Sequence, residues 1–236
     1  MSKTGSYGQY CPLALAAEFV CTRWSVLILR ELMFGASSFN DISRGVSRMS
    51  RTLLSTRLKE FKSRGLITKQ KQKHTYDQYQ LTPAGHALCA VVKDMAMWSQ
   101  EWLQIEPSLL DIDADHLMWN IRRSAKPHPE LPTPFVVNFY MPEQKPKFQH
   151  TWLVFTQNEI ELCIIDNNFN VDVQIEASVE TLTKVYMGWQ ALNDAIQSKQ
   201  LILRGKSQYL KLTSMWMGRS GLADIKRQPA NLCAKY

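Results

Sequence analysis

The chain has 236 residues, 45% of them hydrophobic, and a formal net charge of +7, which suits two modest domains that each bury a core. No run approaches the roughly 20 apolar residues that span a bilayer, and Met1 to Tyr10 lacks the apolar segment of a signal peptide, so a cytoplasmic protein without a membrane span is expected. The five cysteines, Cys11, Cys21, Cys89, Cys163 and Cys233, form no C-x-x-C pair, which argues against a disulfide scaffold or a zinc ribbon.

The first elements are helical. Pro12 to Cys21 places Leu13, Ala16, Ala17 and Val20 on one side, and Trp24 to Met33 is apolar nearly all round, as a buried central helix is. Gly35 ends that helix. Ser38 then caps a third one, with Asp41 in its first turn and Phe39, Ile42 and Val46 on its inner side. A short turn from Gly45 to Met49 leads to Ser50–Arg64, where Leu54, Leu58 and Phe61 form a narrow apolar stripe at i, i+4 and i+7. Ser50 is its expected N-cap and Gly65 its left-handed C′ residue. The polar face of this helix carries Arg51, Thr52, Ser55, Thr56, Lys59 and Lys62. Two helices joined by a short turn, the second one basic, form a helix-turn-helix unit.

After Gly65 the period changes from helical to alternating. Leu66–Lys69 and Tyr76–Leu81 read as two short strands, joined by the polar loop Gln70-Lys71-Gln72-Lys73-His74-Thr75. A hairpin after a recognition helix is a wing, and its Lys71 and Lys73 suit the phosphate backbone, which positions a protein without reading sequence. Thr82 and Pro83 open a long helix bearing Leu88, Val91, Val92, Met95, Trp98 and Trp102. One small domain rarely needs so long and aromatic a terminal helix for itself, so packing on a partner subunit is expected.

Charge follows this division. Residues 1–104 hold 14 Lys and Arg against 7 Asp and Glu, whereas residues 105–236 hold 14 against 14. Within 44–73 ten basic side chains, among them Arg48, face a single acid, Glu60. Such a block points to a polyanion, because neutralising phosphates releases counterions.

The ordered motifs C-P-L-A-L-A-A-E-F-V (11–20), W-S-V-L-I-L-R-E-L (24–32), S-F-N-D-I (38–42), S-R-T-L-L-S-T-R-L-K-E-F (50–61), R-G-L-I (64–67) and Y-Q-L-T-P-A-G (79–85) resemble the HxlR-type winged helix-turn-helix regulators over roughly residues 8–104. The resemblance implies a homodimer, formed through the first helix and the Pro83–Gln104 helix, on a pseudo-palindromic operator in double-stranded DNA. Arg48, Arg51, Thr52, Ser55, Thr56, Lys59, Lys71 and Lys73 are then the candidate DNA-binding residues. Members of that family often carry a cysteine just before the Pro of the first helix, and in some it senses electrophiles or oxidants. Cys11 occupies that position, at the expected N-cap, where a thiol pKa is lowered.

Residues 106–236 form the second domain, after a first domain of 1–105. Asp113 or Asp115 caps a helix through His116–Arg123, and a stretch with Pro127, Pro129, Pro132 and Pro134 connects it to four strand-like runs, Phe135–Tyr140, Thr151–Phe155, Glu159–Ile165 and Val171–Ile175. Helices from Ser178 and over Trp189–Gln197, a strand Leu201–Arg204 and a helix Ser207–Met217 complete an α+β layer pair, an antiparallel sheet covered by helices. The strand meander and the run 185–205 resemble the sterol carrier protein-like domains. That resemblance implies an apolar pocket between sheet and helices for a small hydrophobic effector, with Trp119, Phe139, Trp152, Phe155, Trp189 and Trp216 as candidate lining. No G-x-G-x-x-G, Walker A, H-E-x-x-H or G-x-S-x-G motif occurs, so neither an enzyme nor a bound cofactor or metal is expected. The alternatives are an architectural DNA binder without effector, or an enzyme or lipid carrier whose chemistry lies in the second domain.

Overall fold

The computed structural model describes residues 6–70, 77–104 and 106–235. The chain divides into two compact units, Met1–Trp98 and Ser99–Tyr236, a division inside the long helix and ahead of the boundary expected at residue 105. Among the described residues no single helix is long and apolar enough to cross a membrane.

In the first unit, helices α1 (Pro12–Val20), α2 (Ser25–Met33), α3 (Phe39–Gly45) and α4 (Arg51–Ser63) precede strands β1 (Ile67–Gln70) and β2 (Gln78–Leu81) and helix α5 (Pro83–Trp102). The caps follow the expected chemistry. Ser38 Oγ accepts from the Asp41 amide, Ser50 Oγ from the Leu53 amide and Thr82 Oγ1 from the Gly85 amide, each satisfying a free donor of a first turn. Gly65 closes α4 at φ 72°, the left-handed conformation expected of a C′ glycine. The stripe Leu54, Leu58 and Phe61 is fully buried against Ile28, Leu29, Ile42 and Ile67. Burial of each such side chain contributes roughly 1.5–3 kcal/mol.

Inside this core lies one carboxylate. Glu31 of α2 has no exposed surface, and Arg30 donates to its Oε1 from Nε at 2.8 Å. The same guanidinium donates from its second nitrogen to the Gly45 carbonyl at 2.8 Å. Arg30 therefore ties α2 to the last residue of α3, and the Glu31 carboxyl group fills the space where any side chain on Gly45 would begin.

In the second unit, α6 (Ala114–Ser124) is capped by Asp113, whose Oδ1 accepts from the His116 amide. Strands β3 (Phe135–Tyr140), β4 (His150–Phe155), β5 (Ile160–Cys163), β6 (Val173–Ala177) and β7 (Leu201–Gly205) form one sheet, interleaved with α7 (Val179–Met187) and α8 (Leu192–Gln197) and followed by α9 (Ser207–Lys211) and α10 (Thr213–Trp216). The expected Ser207–Met217 helix is thus two short helices broken at Leu212, and the expected Trp189–Gln197 helix begins only at Leu192.

The strand order is β5-β4-β3-β6-β7, which corrects the expected meander. β6 lies beside β3 and parallel to it, Asn138 opposite Gln174, so the sheet is mixed and not wholly antiparallel. The reason is spatial: β3 is as apolar as a central strand and needs neighbours on both edges, and β6 takes the free one. Phe135, Val137, Phe139, Leu153, Phe155, Val173 and Ile175 face the helices and close the core with Leu182, Tyr209 and Trp216.

The C-terminal segment closes on the last residues of α5 and on Leu103 and Gln104. Gln228 and Ala234 donate backbone N–H groups to Glu101 and Trp102, the Gln104 amide donates to Ala234, and Arg227 donates to the Leu103 carbonyl. Gln100, itself buried, donates to the Met187 carbonyl at the end of α7 and accepts from Trp189 Nε1.

Gly45→Ala forces its new methyl into the Glu31 carboxyl group in a site where that group cannot move into water. The expected loss is about 1–3 kcal/mol of stability, read as a lowered urea midpoint with an unchanged slope. An unchanged midpoint would show that the carboxylate is not held there.

Candidate nucleic-acid interface

The outward side of α4 presents Arg51, Thr52, Thr56 and Lys59 to solvent, with Ser55 half-buried between them. These positions oppose the buried Leu54/Leu58/Phe61 stripe, so burial of one face fixes the direction of the other. Two of these groups are already engaged. Arg51 donates to Asn40 Oδ1 at 2.9 Å and lies 4.7 Å from the Phe39 ring centre, which holds its guanidinium against α3. The Thr56 hydroxyl donates back to the Thr52 carbonyl. Lys59 is exposed, and Glu60, the single acid of the basic block, is paired with Arg57 at 2.6 Å. Arg48 lies exposed in the turn before α4.

The wing is an antiparallel pair with Lys69 opposite Tyr79. Lys69 is bound to Asp77 at 2.5 Å and its pKa is raised, chiefly by that carboxylate. Lys71 and Lys73 lie outside the described residues.

Sequence reasoning missed the residues that aim this surface. Asn40 and Phe39 position Arg51, and Arg30 with Glu31 positions the end of α3. A charged Arg-Glu pair inside an otherwise apolar helix carries the only sequence signal for the second.

Cys11 stands where it was expected, as the N-cap of α1 and exposed. The amides of Ala14 and Leu13 at the helix start draw its thiol pKa below the ordinary value, while burial pushes those of Cys89 and Cys163 up. The unit also leaves apolar surface in water. Leu13 is 77% exposed, and Val91, Met95 and Trp98, which share one side of α5 at i, i+4 and i+7, are exposed as well.

The six aromatic residues expected around one pocket do not come together. Phe139, Phe155 and Trp216 are buried in the main core, where Phe135 packs edge-on against both Phe155 and Trp216 at 5.5 and 5.4 Å. Trp152 lies on the opposite face of the sheet with Val136 and Val154. Its position on β4 has the other parity from Phe155, and a pleated strand sends the two to opposite sides. Trp119 is buried with Arg122 over its ring, and Trp189 is turned toward Gln100.

Residues 19–107 match the HxlR-like helix-turn-helix family. YvaP, an uncharacterised helix-turn-helix transcriptional regulator of Bacillus subtilis, is 32% identical over 106 residues, which are 44% of this chain and 96% of that protein. YodB, a helix-turn-helix transcriptional regulator of the same organism, is 31% identical over 97 residues, 40% of this chain and 87% of the other. Among solved structures, diamide-treated YodB is 31% identical with a TM-score of 0.34, covering 39% of this chain and 93% of that one. The redox regulator HypR in its reduced form is 21% identical with a TM-score of 0.36, over 38% and 91%. With the caps, turn and wing in the expected order, and with relatives that match over nearly their whole length, the chain belongs to the HxlR-like helix-turn-helix family of transcriptional regulators.

Proposed function

We propose that the chain acts as a homodimer on a pseudo-palindromic operator, and that its DNA affinity is set by a small apolar effector in the second domain or by the redox state of Cys11. The observation that carries the dimer is the apolar stripe of α5, with Trp98 51% exposed, next in kind to the exposed Leu13 of α1. Contiguous apolar surface of this sort marks an interaction site. Pairing two copies through these helices displays two α4 helices related by a two-fold axis, the arrangement that suits half-sites one turn of B-DNA apart.

Within each copy, Thr52, Ser55, Thr56 and Lys59 are the groups nearest the major groove, with Arg51 braced on Asn40 and Arg48 at the helix start. Lys71 and Lys73 of the wing hold flanking phosphates. The second domain is read as a ligand-binding module for that effector. An effector changes DNA affinity only by binding two dimer arrangements unequally.

Cys11 supplies the second input. Its lowered pKa raises the thiolate fraction near neutral pH, and the thiolate is the form that reacts with electrophiles and oxidants.

Two measurements check this reading. Lys59→Ala is expected to weaken binding to a duplex of mixed sequence and to reduce the slope of log K against log salt by about 0.9, the loss of one phosphate contact. Fluorescence anisotropy across a salt series reads both; an unchanged slope removes Lys59 from the interface. Alkylation by iodoacetamide, followed by peptide mass spectrometry, should label Cys11 before Cys89 and Cys163, with its rate profile displaced to lower pH than theirs. Equal profiles would remove Cys11 as a sensor.

A further inference from the structure

Among the described residues, one face of the sheet of the second unit lies outside the helix-packed core: Val136, Trp152 and Val154 form a buried cluster of their own with Cys163 and Phe169. Val136, Asn138 and Tyr140 of β3 point there, with His150, Trp152 and Val154 of β4. One register row crosses all five strands on this side: Cys163, Trp152, Asn138, Gln174 and Arg204. What lies over the row is the connection 164–172. β5 and β6 both run parallel to β3, so this segment returns across β4 and β3, about 14 Å in strand spacings. It passes on this side, because Phe169 packs against Trp152 with ring centres 6.0 Å apart. Between 164 and 171, Phe169 is the one residue that is not exposed. The Phe169 ring holds the loop against the sheet, and its far end is fixed at Asp172, whose amide donates to the Val136 carbonyl and whose Oδ2 accepts from the Val136 amide.

We propose that this row, beneath the Phe169 loop, binds a neutral planar aromatic molecule that carries a carbonyl oxygen. Asn138 is 3% exposed, and its Oδ1 accepts from Gln174 Nε2 at 3.1 Å and lies 3.2 Å from His150 Nδ1. Its Nδ2 is buried and has no acceptor among the described residues. Buried donors are almost always satisfied, and an unsatisfied one asks for an acceptor. A ligand carbonyl supplies it.

Beside Asn138 stands a ladder of rings, Tyr140 on His150 at 4.7 Å and 18°, and His150 on Trp152 at 5.8 Å and 24°. Phe169 completes it from the loop, and a planar ligand takes the place of that ring against Trp152. Charge excludes an anion. Glu161 and Glu176 share this face, and Arg204 is already bound to Glu176 at 2.5 Å. The site locates the effector assigned above to the second domain, and for that biological role it rests on the regulator reading.

The test titrates the full chain, without DNA, with 2-acetylnaphthalene and follows tryptophan quenching and calorimetric heat. Binding is expected, with the quenching largely lost in Trp152→Phe. Asn138→Leu should weaken binding at least tenfold, the value of about one hydrogen bond, and Phe169→Ala should keep or tighten it. On the wild-type chain, 2-ethylnaphthalene, which lacks the carbonyl, and 2-naphthoate, which is anionic, should each bind roughly tenfold more weakly or worse. These two need no variant and so stand if Asn138→Leu fails to fold. Absence of binding up to the solubility of the probe, or equal affinity for the three naphthalenes, overturns the site. Either failure leaves the DNA-binding reading intact, since that reading falls separately through the salt dependence of Lys59→Ala.

Discussion

The outward face of α4 depends on a buried carboxylate. Glu31 sits at zero exposure among apolar side chains, a position that is costly for a charge unless it is paired and hydrogen-bonded. Arg30 meets that requirement and spends its other nitrogen on the Gly45 carbonyl. Because Gly45 has no side chain, α3 approaches α2 closely enough for this contact. The end of α3 is thereby fixed, and with it the turn that launches α4 and the direction of Thr52, Thr56 and Lys59. The apolar stripe of α4 supplies adhesion, and the Arg30–Glu31–Gly45 contact supplies aim.

The local chemistry of the first unit was legible in the sequence because it is written in short-range rules. Hydroxyls at Ser38, Ser50 and Thr82 each cap the helix that follows, and the spacing of Leu54, Leu58 and Phe61 reports the buried side. Arg51 was legible as a face but not as a contact. That it leans on Asn40 and Phe39 depends on how α3 and α4 meet, which no local pattern encodes.

In the second unit, strands could be read but neighbours could not. Alternation tells which residues share a face, and it says nothing about which strand lies beside which. The placement of β6 parallel to β3 therefore escaped. The grouping of Trp152 with Phe155 was an error of another kind, since their parity on one strand already separates them. Once separated, the two faces take different roles: a packed core of Phe135, Phe139, Phe155 and Trp216 toward the helices, and a polar and aromatic row under an irregular loop on the other side. Within this unit the C-terminal segment grips residues 101–104, and Gln100 bonds to the end of α7 and to Trp189.

The central claim is that two copies present two α4 helices to one face of a duplex. Hydroxyl-radical footprinting on a duplex selected by the wild-type chain from a random pool tests it most directly. Two protected half-sites of inverted sequence are predicted, with centres about 34–36 Å apart along the helix axis. A single protected half-site, with one chain bound per duplex, would contradict it.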